Sequence, residues 1–203
     1  MANLLQTTPE PFTFYAAVTD EESQEILQRV MPSSLVVLTP AWWTAIERAQ
    51  FLYDHTRGED YVFLAADDYL FHPGWLPPAL AMMAQVDGVV TINDLFDGEQ
   101  VGAGPMFSRN YISTCSGVFD EPNVLQHRGY HHGYADIETI QTAIERGRFA
   151  WCRDGIVEHL RYNSGKPGAC EYDETYRDLE EHYSTDLELF QIRMHARDRA
   201  NHA

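Results

Sequence analysis

The apolar positions fall in short blocks separated by longer amphipathic stretches. Residues 12–18 read as a buried strand, and Thr19 followed three positions later by Glu22 reads as a capping box opening a helix to about Val30. The rhythm repeats as strand Leu35–Leu38, a helix over 42–54, a strand over 61–66, a helix over 75–86 and a strand over 88–92. Pro77 and Pro78 fit that last helix only in its first turn, where a missing N–H has no intrahelical partner, so the helix starts close to Trp75. Residues 94–105 are polar and carry glycine. Short pieces then lead to Tyr134, to a helix over 135–146 closed by Gly147, and to a strand over 149–157. A Gly/Pro/Asn/Ser loop over 163–168 precedes a highly charged helical tail from Asp173. Strands alternating with helices predict an α/β domain with a largely parallel sheet.

Composition sharpens this picture. With 203 residues, 44% hydrophobic and 22% charged, the chain suits a single domain with a real core. No window approaches the roughly 18 to 20 apolar residues of a membrane span, and the first residues lack a signal peptide's basic flank and apolar run, so the expectation is a soluble, cytoplasmic protein with no membrane partner. Cys115, Cys152 and Cys170 are far apart and odd in number, which predicts reduced thiols. The formal charge of −17 repels polyanions, so no tight binding to duplex nucleic acid is expected. A phosphate-bearing small substrate would need a cation held by carboxylates.

Candidate carboxylates stand at strand and helix ends. The run Tyr61-Val-Phe-Leu-Ala-Ala-Asp67-Asp68 ends a hydrophobic strand in two adjacent acids, where α/β sheets open their ligand crevice; it reads either as a hard-cation site or as a turn in which one Asp caps the next element. Asp136 and Glu138 open the 135–146 helix, where the helix dipole alone favours acids. His127, His131 and His132 lack a cysteine partner for a dedicated zinc site, whereas His159, at the end of the next strand, could approach Asp68. No phosphate loop, HExxH or GxSxG is present, and Gly102-Ala-Gly104 is no dinucleotide fingerprint.

In their order along the chain these pieces resemble the GT-A-fold glycosyltransferases of the family-2 kind, in particular a compact group from bacteriophages and actinobacteria. The resemblance runs from about Phe12 to Arg193. It rests on the stretch from Phe12 to Asp20, Ala66-Asp67-Asp68 with Phe71-His-Pro-Gly-Trp75, Thr91-Ile-Asn93-Asp94, and Met106-Phe-Ser108-Arg109. It continues in His132-Gly-Tyr-Ala-Asp136, Val157-Glu-His159, Gly165-Lys166 and Asp173-Glu-Thr-Tyr176. The resemblance implies inverting transfer of a sugar from a nucleotide-diphosphate donor to an acceptor hydroxyl, with Mn²⁺ or Mg²⁺. Asp68, matching the last acid of the family's DxD motif, would hold the metal, with His159 as a further ligand or phosphate contact. Asp67, Asp20 and Lys166 would contact the donor, and Asp136 would be the general base. Residues 12–94 would form the donor half, 95–172 the acceptor half and 173–203 the tail. A non-catalytic sugar- or nucleotide-binding protein with a degenerate form of the fold is the alternative. Ala66 replaces the first DxD acid, Arg161-Tyr162 replaces a His-Pro pair, and the family's first strand–helix unit would have to precede Phe12, which the eleven residues before it cannot supply.

Overall fold

A computed structural model describes residues 3–56, 58–100 and 102–201. A short helix α1 (Leu4–Thr7) leads into β1 (Tyr15–Val18), α2 (Glu21–Val30), β2 (Leu35–Leu38) and α3 (Ala45–His55), with β1 and β2 forming a two-stranded parallel sheet of their own and Tyr53 of α3 packed into the main core. The helix after β1 begins one residue later than its sequence signal: Asp20, not Thr19, is the cap, its carboxylate accepting from the Ser23 N–H at 2.7 Å. Asp is as good a cap as Thr, and its extended backbone leaves the side chain facing the first turn. α3 carries a full capping box between Thr44 and Glu47.

The main sheet has five strands in the order β3-β6-β5-β7-β4: β3 (Tyr61–Phe63), β4 (Tyr69–Phe71), β5 (Val89–Asn93), β6 (Ala103–Ser108) and β7 (Phe149–His159). Between them come α4 (Leu76–Val86), α5 (Arg109–Cys115) and α6 (Ala135–Glu145), and the chain closes with α7 (Glu174–Asn201). The expectation of a mostly parallel sheet is corrected here. Only β5–β7 is parallel; β3–β6, β5–β6 and β4–β7 run antiparallel. The reason is connectivity: β5 returns as β6 through a single 3₁₀ turn at Gly98–Gln100, with no crossover helix to reset the direction. Pro77 and Pro78 do fall in the first turn of α4. Gly147, at φ 65°, closes α6.

The sheet curls until its two edges meet. The Phe63 ring of β3 lies 6.3 Å from both Tyr69 and Phe71 of β4 and 5.3 Å from Trp75. The 64–68 segment crosses the sheet end over Gly104, where a Cβ would come within 2.1 Å of the Leu64 carbonyl oxygen. Trp75 is buried in the cluster formed with Phe71, Met83, Ile92, Cys152 and Val157, and its indole N–H donates to Thr8 Oγ1 at 2.8 Å. Asn3 completes the outer edge of β4: its amide accepts from the Phe71 N–H at 3.1 Å and donates to the Phe71 carbonyl at 2.5 Å. No described helix is long and apolar enough to cross a membrane.

α7 is fastened to the domain by buried charge. Glu138, fully buried on α6, receives Arg193 Nε and one terminal nitrogen at 2.8 Å each and the Tyr130 hydroxyl at 2.7 Å. Arg193 also forks onto Asp120 at 2.7 and 3.0 Å. Asp186, 2% exposed, accepts the backbone N–H groups of His131, His132 and Gly133 at 2.8–2.9 Å.

Candidate active site

Asp67 and Asp68 form the turn between β3 and β4. β4 pairs with the end of β7 so that Tyr69 lies opposite His159, and the Leu160 N–H donates to the Asp68 carbonyl at 3.0 Å. This ladder brings His159 to Asp68, with Nε2 3.0 Å from Oδ2. On its other side the His159 ring accepts from Arg161 Nε through Nδ1 at 2.9 Å. A guanidinium can only donate, so the neutral ring carries its proton on Nε2 and donates it to Asp68.

Asp68 is therefore crowded on one oxygen and bare on the other. Oδ2 also accepts from the Tyr176 hydroxyl at 3.1 Å, and the Cys170 thiol lies at 3.8 Å. Oδ1 is buried and accepts no hydrogen bond among the described residues. Burial pushes against ionisation, but the His159 and Tyr176 hydrogen bonds outweigh it and hold the carboxyl below the usual Asp range. A buried, ionised carboxylate with one unpartnered oxygen fits a hard cation, whose preferred donors are carboxylate oxygens.

Around Asp68 the charged groups form a connected network. Arg161 continues to Asp97 at 2.6 Å, and Asp94, fully buried at the end of β5, accepts the Phe96 and Asp97 N–H groups at 2.9 Å each. The second Asp94 oxygen is also buried without a partner. Burial raises the Asp97 pKa, and Arg161 opposes it. Lys166 folds inward, its ammonium 3.1 Å from Glu158 and 3.0 Å from the Asp94 carbonyl, while Glu158 also receives His72 at 2.5 Å. Those two partners hold Glu158 below its ordinary pKa against the opposing effect of burial.

Asp136 sits in the first turn of α6, after Tyr134 in the left-handed region at φ 63°. Its carboxylate accepts the Ile137 N–H at 2.8 Å. Burial raises its pKa, partly offset by that bond and by the charges of His132 and Arg161. Its charge also pushes the Tyr69 phenol upward, a smaller effect than the burial of that ring. Glu138 faces α7, as its two-residue offset on the helix dictates, but it is an anchor of the fold and not the dispensable acid its position suggests.

Of the residues singled out in sequence, Asp68, His159 and Lys166 join one network through Arg161, Asp97 and Asp94. Asp67 is exposed beside Asp68, and Asp20 lies on the two-stranded sheet as a helix cap. Arg161 and Tyr176 fall within stretches already compared with the family but without a role assigned, and Asp97 and Cys170 carry no motif. Asp97 and Arg161 follow the carboxyl ends of β5 and β7, whereas Cys170 and Tyr176 reach Asp68 from the loop before α7 and from its first turn.

No family model matches the chain, and no curated protein matches it. A solved structure does: S. aureus TarS residues 1–349 in complex with UDP-GlcNAc, a glycosyltransferase, superposes with a TM-score of 0.56 at 10% identity. The fold is glycosyltransferase-like. The match covers 92% of this chain but 61% of that one, so the chain spans about three fifths of that protein's length.

Proposed function

We propose that this protein transfers a sugar from a nucleotide-diphosphate donor to an acceptor hydroxyl, with metal assistance and inversion at the anomeric carbon. The observation that carries this reading is the ionised Asp68 carboxylate with its bare, buried Oδ1, in a fold shared with a protein that binds UDP-GlcNAc. Asp68 would hold Mn²⁺ or Mg²⁺ through Oδ1. Such an ion supplies charge that offsets the negative charge growing on the departing diphosphate. His159, with its proton on Nε2, is set to donate to a phosphate oxygen, and it ligates a cation only after giving that proton up. Lys166 offers positive charge beside Asp94, and Asp67 and Asp20 are further donor contacts on this reading. Asp136, its basicity raised by burial, takes the proton from the attacking hydroxyl on the opposite side of the crevice. Residues 12–94 then supply the donor half and 95–172 the acceptor half. The two halves are interleaved in one sheet, since β6 lies between β3 and β5.

A non-catalytic binding role is favoured by one observation: Tyr176 and Cys170 already cover Asp68, and Lys166 is neutralised by Glu158. A panel of UDP-sugars with Mn²⁺ separates the readings. For an enzyme, wild type releases UDP and transfers sugar to simple acceptors, Asp136→Asn lowers turnover by about 10²–10⁴-fold while keeping the Mn²⁺–UDP melting shift, and Asp68→Asn loses that shift. A shift without turnover in wild type leaves the binding role. No shift at all overturns both.

A further inference from the structure

A second group of metal-binding side chains lies on α7, and its chemistry does not depend on sugar transfer. Asp178 and His182 are one helical turn apart, and Asp186 follows one turn later on the same face. The 131–133 loop lies along that face, its three N–H groups held by the Asp186 carboxylate. This places His131 over Asp178, with Nε2 2.7 Å from Oδ2, while His182 Nε2 is 3.8 Å from Oδ1. The two imidazoles stack with centroids 3.7 Å apart and planes 20° from parallel, and the three donor atoms lie within 4.8 Å of one another.

We propose that His131, Asp178 and His182 bind one divalent transition-metal ion of the Zn²⁺ class. Two imidazoles and one carboxylate are donors that this class takes, with water at the fourth position. Ligands about 2.1 Å from a tetrahedral ion are about 3.4 Å from each other. The observed separations of 2.7 and 3.8 Å, to the two oxygens of Asp178, bracket that value, and the rings must turn out of their stack for both nitrogens to point at one ion. The 3.8 Å gap between His182 and Asp178 is too long for a hydrogen bond, which leaves that imidazole nitrogen open to a ligand on this side. The loop that a shared cation would pin runs straight into α6, whose first turn carries Asp136 and whose cap, Tyr134, makes no side-chain cap hydrogen bond. The ion would therefore brace, together with Asp186, the segment that leads into Asp136.

The test uses the full chain with exposed Cys115 replaced by Ser, to remove a competing thiol. The metal-free protein is titrated with Co²⁺ and then Zn²⁺. Expected are one equivalent of Co²⁺ with the visible absorption of a four-coordinate ion, displaced by Zn²⁺, and a Zn²⁺-dependent rise in Tm. His182→Ala, on a partly exposed helix face, abolishes the Co²⁺ spectrum with unchanged circular dichroism. Asp178→Asn weakens binding by at least about tenfold. Asp68→Asn leaves the spectrum intact, which separates this site from any metal at Asp68. An unchanged spectrum in His182→Ala, its loss in Asp68→Asn, or no stoichiometric binding at micromolar Co²⁺ overturns the proposal.

Discussion

Two carboxylates sunk in this protein are finished in opposite ways. Between α6 and α7, both oxygens of Glu138 are satisfied by the Arg193 fork and Tyr130. In the crevice, Asp68 concentrates its partners on one oxygen and leaves the other buried and bare. A buried charge costs several kcal/mol unless its partners compensate it, so a saturated carboxylate is an element of the fold, while a half-saturated one is completed from outside. The contrast distinguishes an acid built into the fold from one that awaits a ligand: Glu138 is fully buried, Asp68 only partly.

The largest expected effect falls on the saturated side. Arg193→Met leaves Glu138 buried without its cation and should cost about 3–5 kcal/mol in urea unfolding, whereas adding Glu138→Leu to it recovers most of the loss. A single variant within about 1 kcal/mol of wild type would remove Glu138 from the structural class.

The next effect has the opposite sign. Asp136→Asn should raise stability at pH 7 by about 0.5–2 kcal/mol, the usual gain when a strained functional group is replaced. The sign follows from linkage: the folded pKa of Asp136 is raised, so its ionised form weakens the fold above that pKa, and the penalty fades as pH falls through it toward the unfolded value. The stability gap between variant and wild type, followed by thermal melts from pH 7 down to 4, should therefore close. A constant gap would show that Asp136 is an ordinary helix-cap acid.

The smallest effect concerns the crowded oxygen. Tyr176→Phe removes one donor to Asp68 Oδ2 and should cost about 0.5–1.5 kcal/mol at pH 7. The Asp68 pKa is depressed in the fold, so this contribution is present above the ordinary Asp value of about 3.9 and is lost as pH falls below it. Melts of both proteins should converge on the acid side. A loss that persists at low pH would mean that Tyr176 acts by packing against Tyr162 and not through Asp68.

Much of this was legible in the sequence because it is local. α2, α3, α4, α6 and the long tail helix announce themselves by periodicity, and their caps lie within a few residues of the sequence signals. β4 escaped notice because its three residues were absorbed into a motif, and β6 because Gly104 and Pro105 read as loop. Strand direction was misjudged for a related reason: alternation of elements says that strands exist, but partner and polarity are settled by connections such as the turn between β5 and β6. The same holds for the site. Asp68 and His159 stand at strand ends and could be named, whereas Arg161 and Tyr176 gain meaning only when β7 and α7 fold back. The anchoring role of Glu138 has no local signal, because its partner Arg193 lies 55 positions away, beyond any helical spacing rule.

Asp68 meets Cys170 and Tyr176 across 102 and 108 positions of sequence. Paired residues of β4 and β7 lie 86 to 90 positions apart, so at ordinary translation rates of about 5–20 residues per second β4 waits roughly 4–18 s for its partner. Throughout that interval Tyr69 and Phe71 would offer an unpaired, aromatic strand edge to neighbouring nascent chains. Asn3, synthesised long before β7, already holds one side of Phe71 through both its N–H and its carbonyl. The first residues of the chain thus close the outer edge of β4, the one β7 never reaches, to pairing with another molecule.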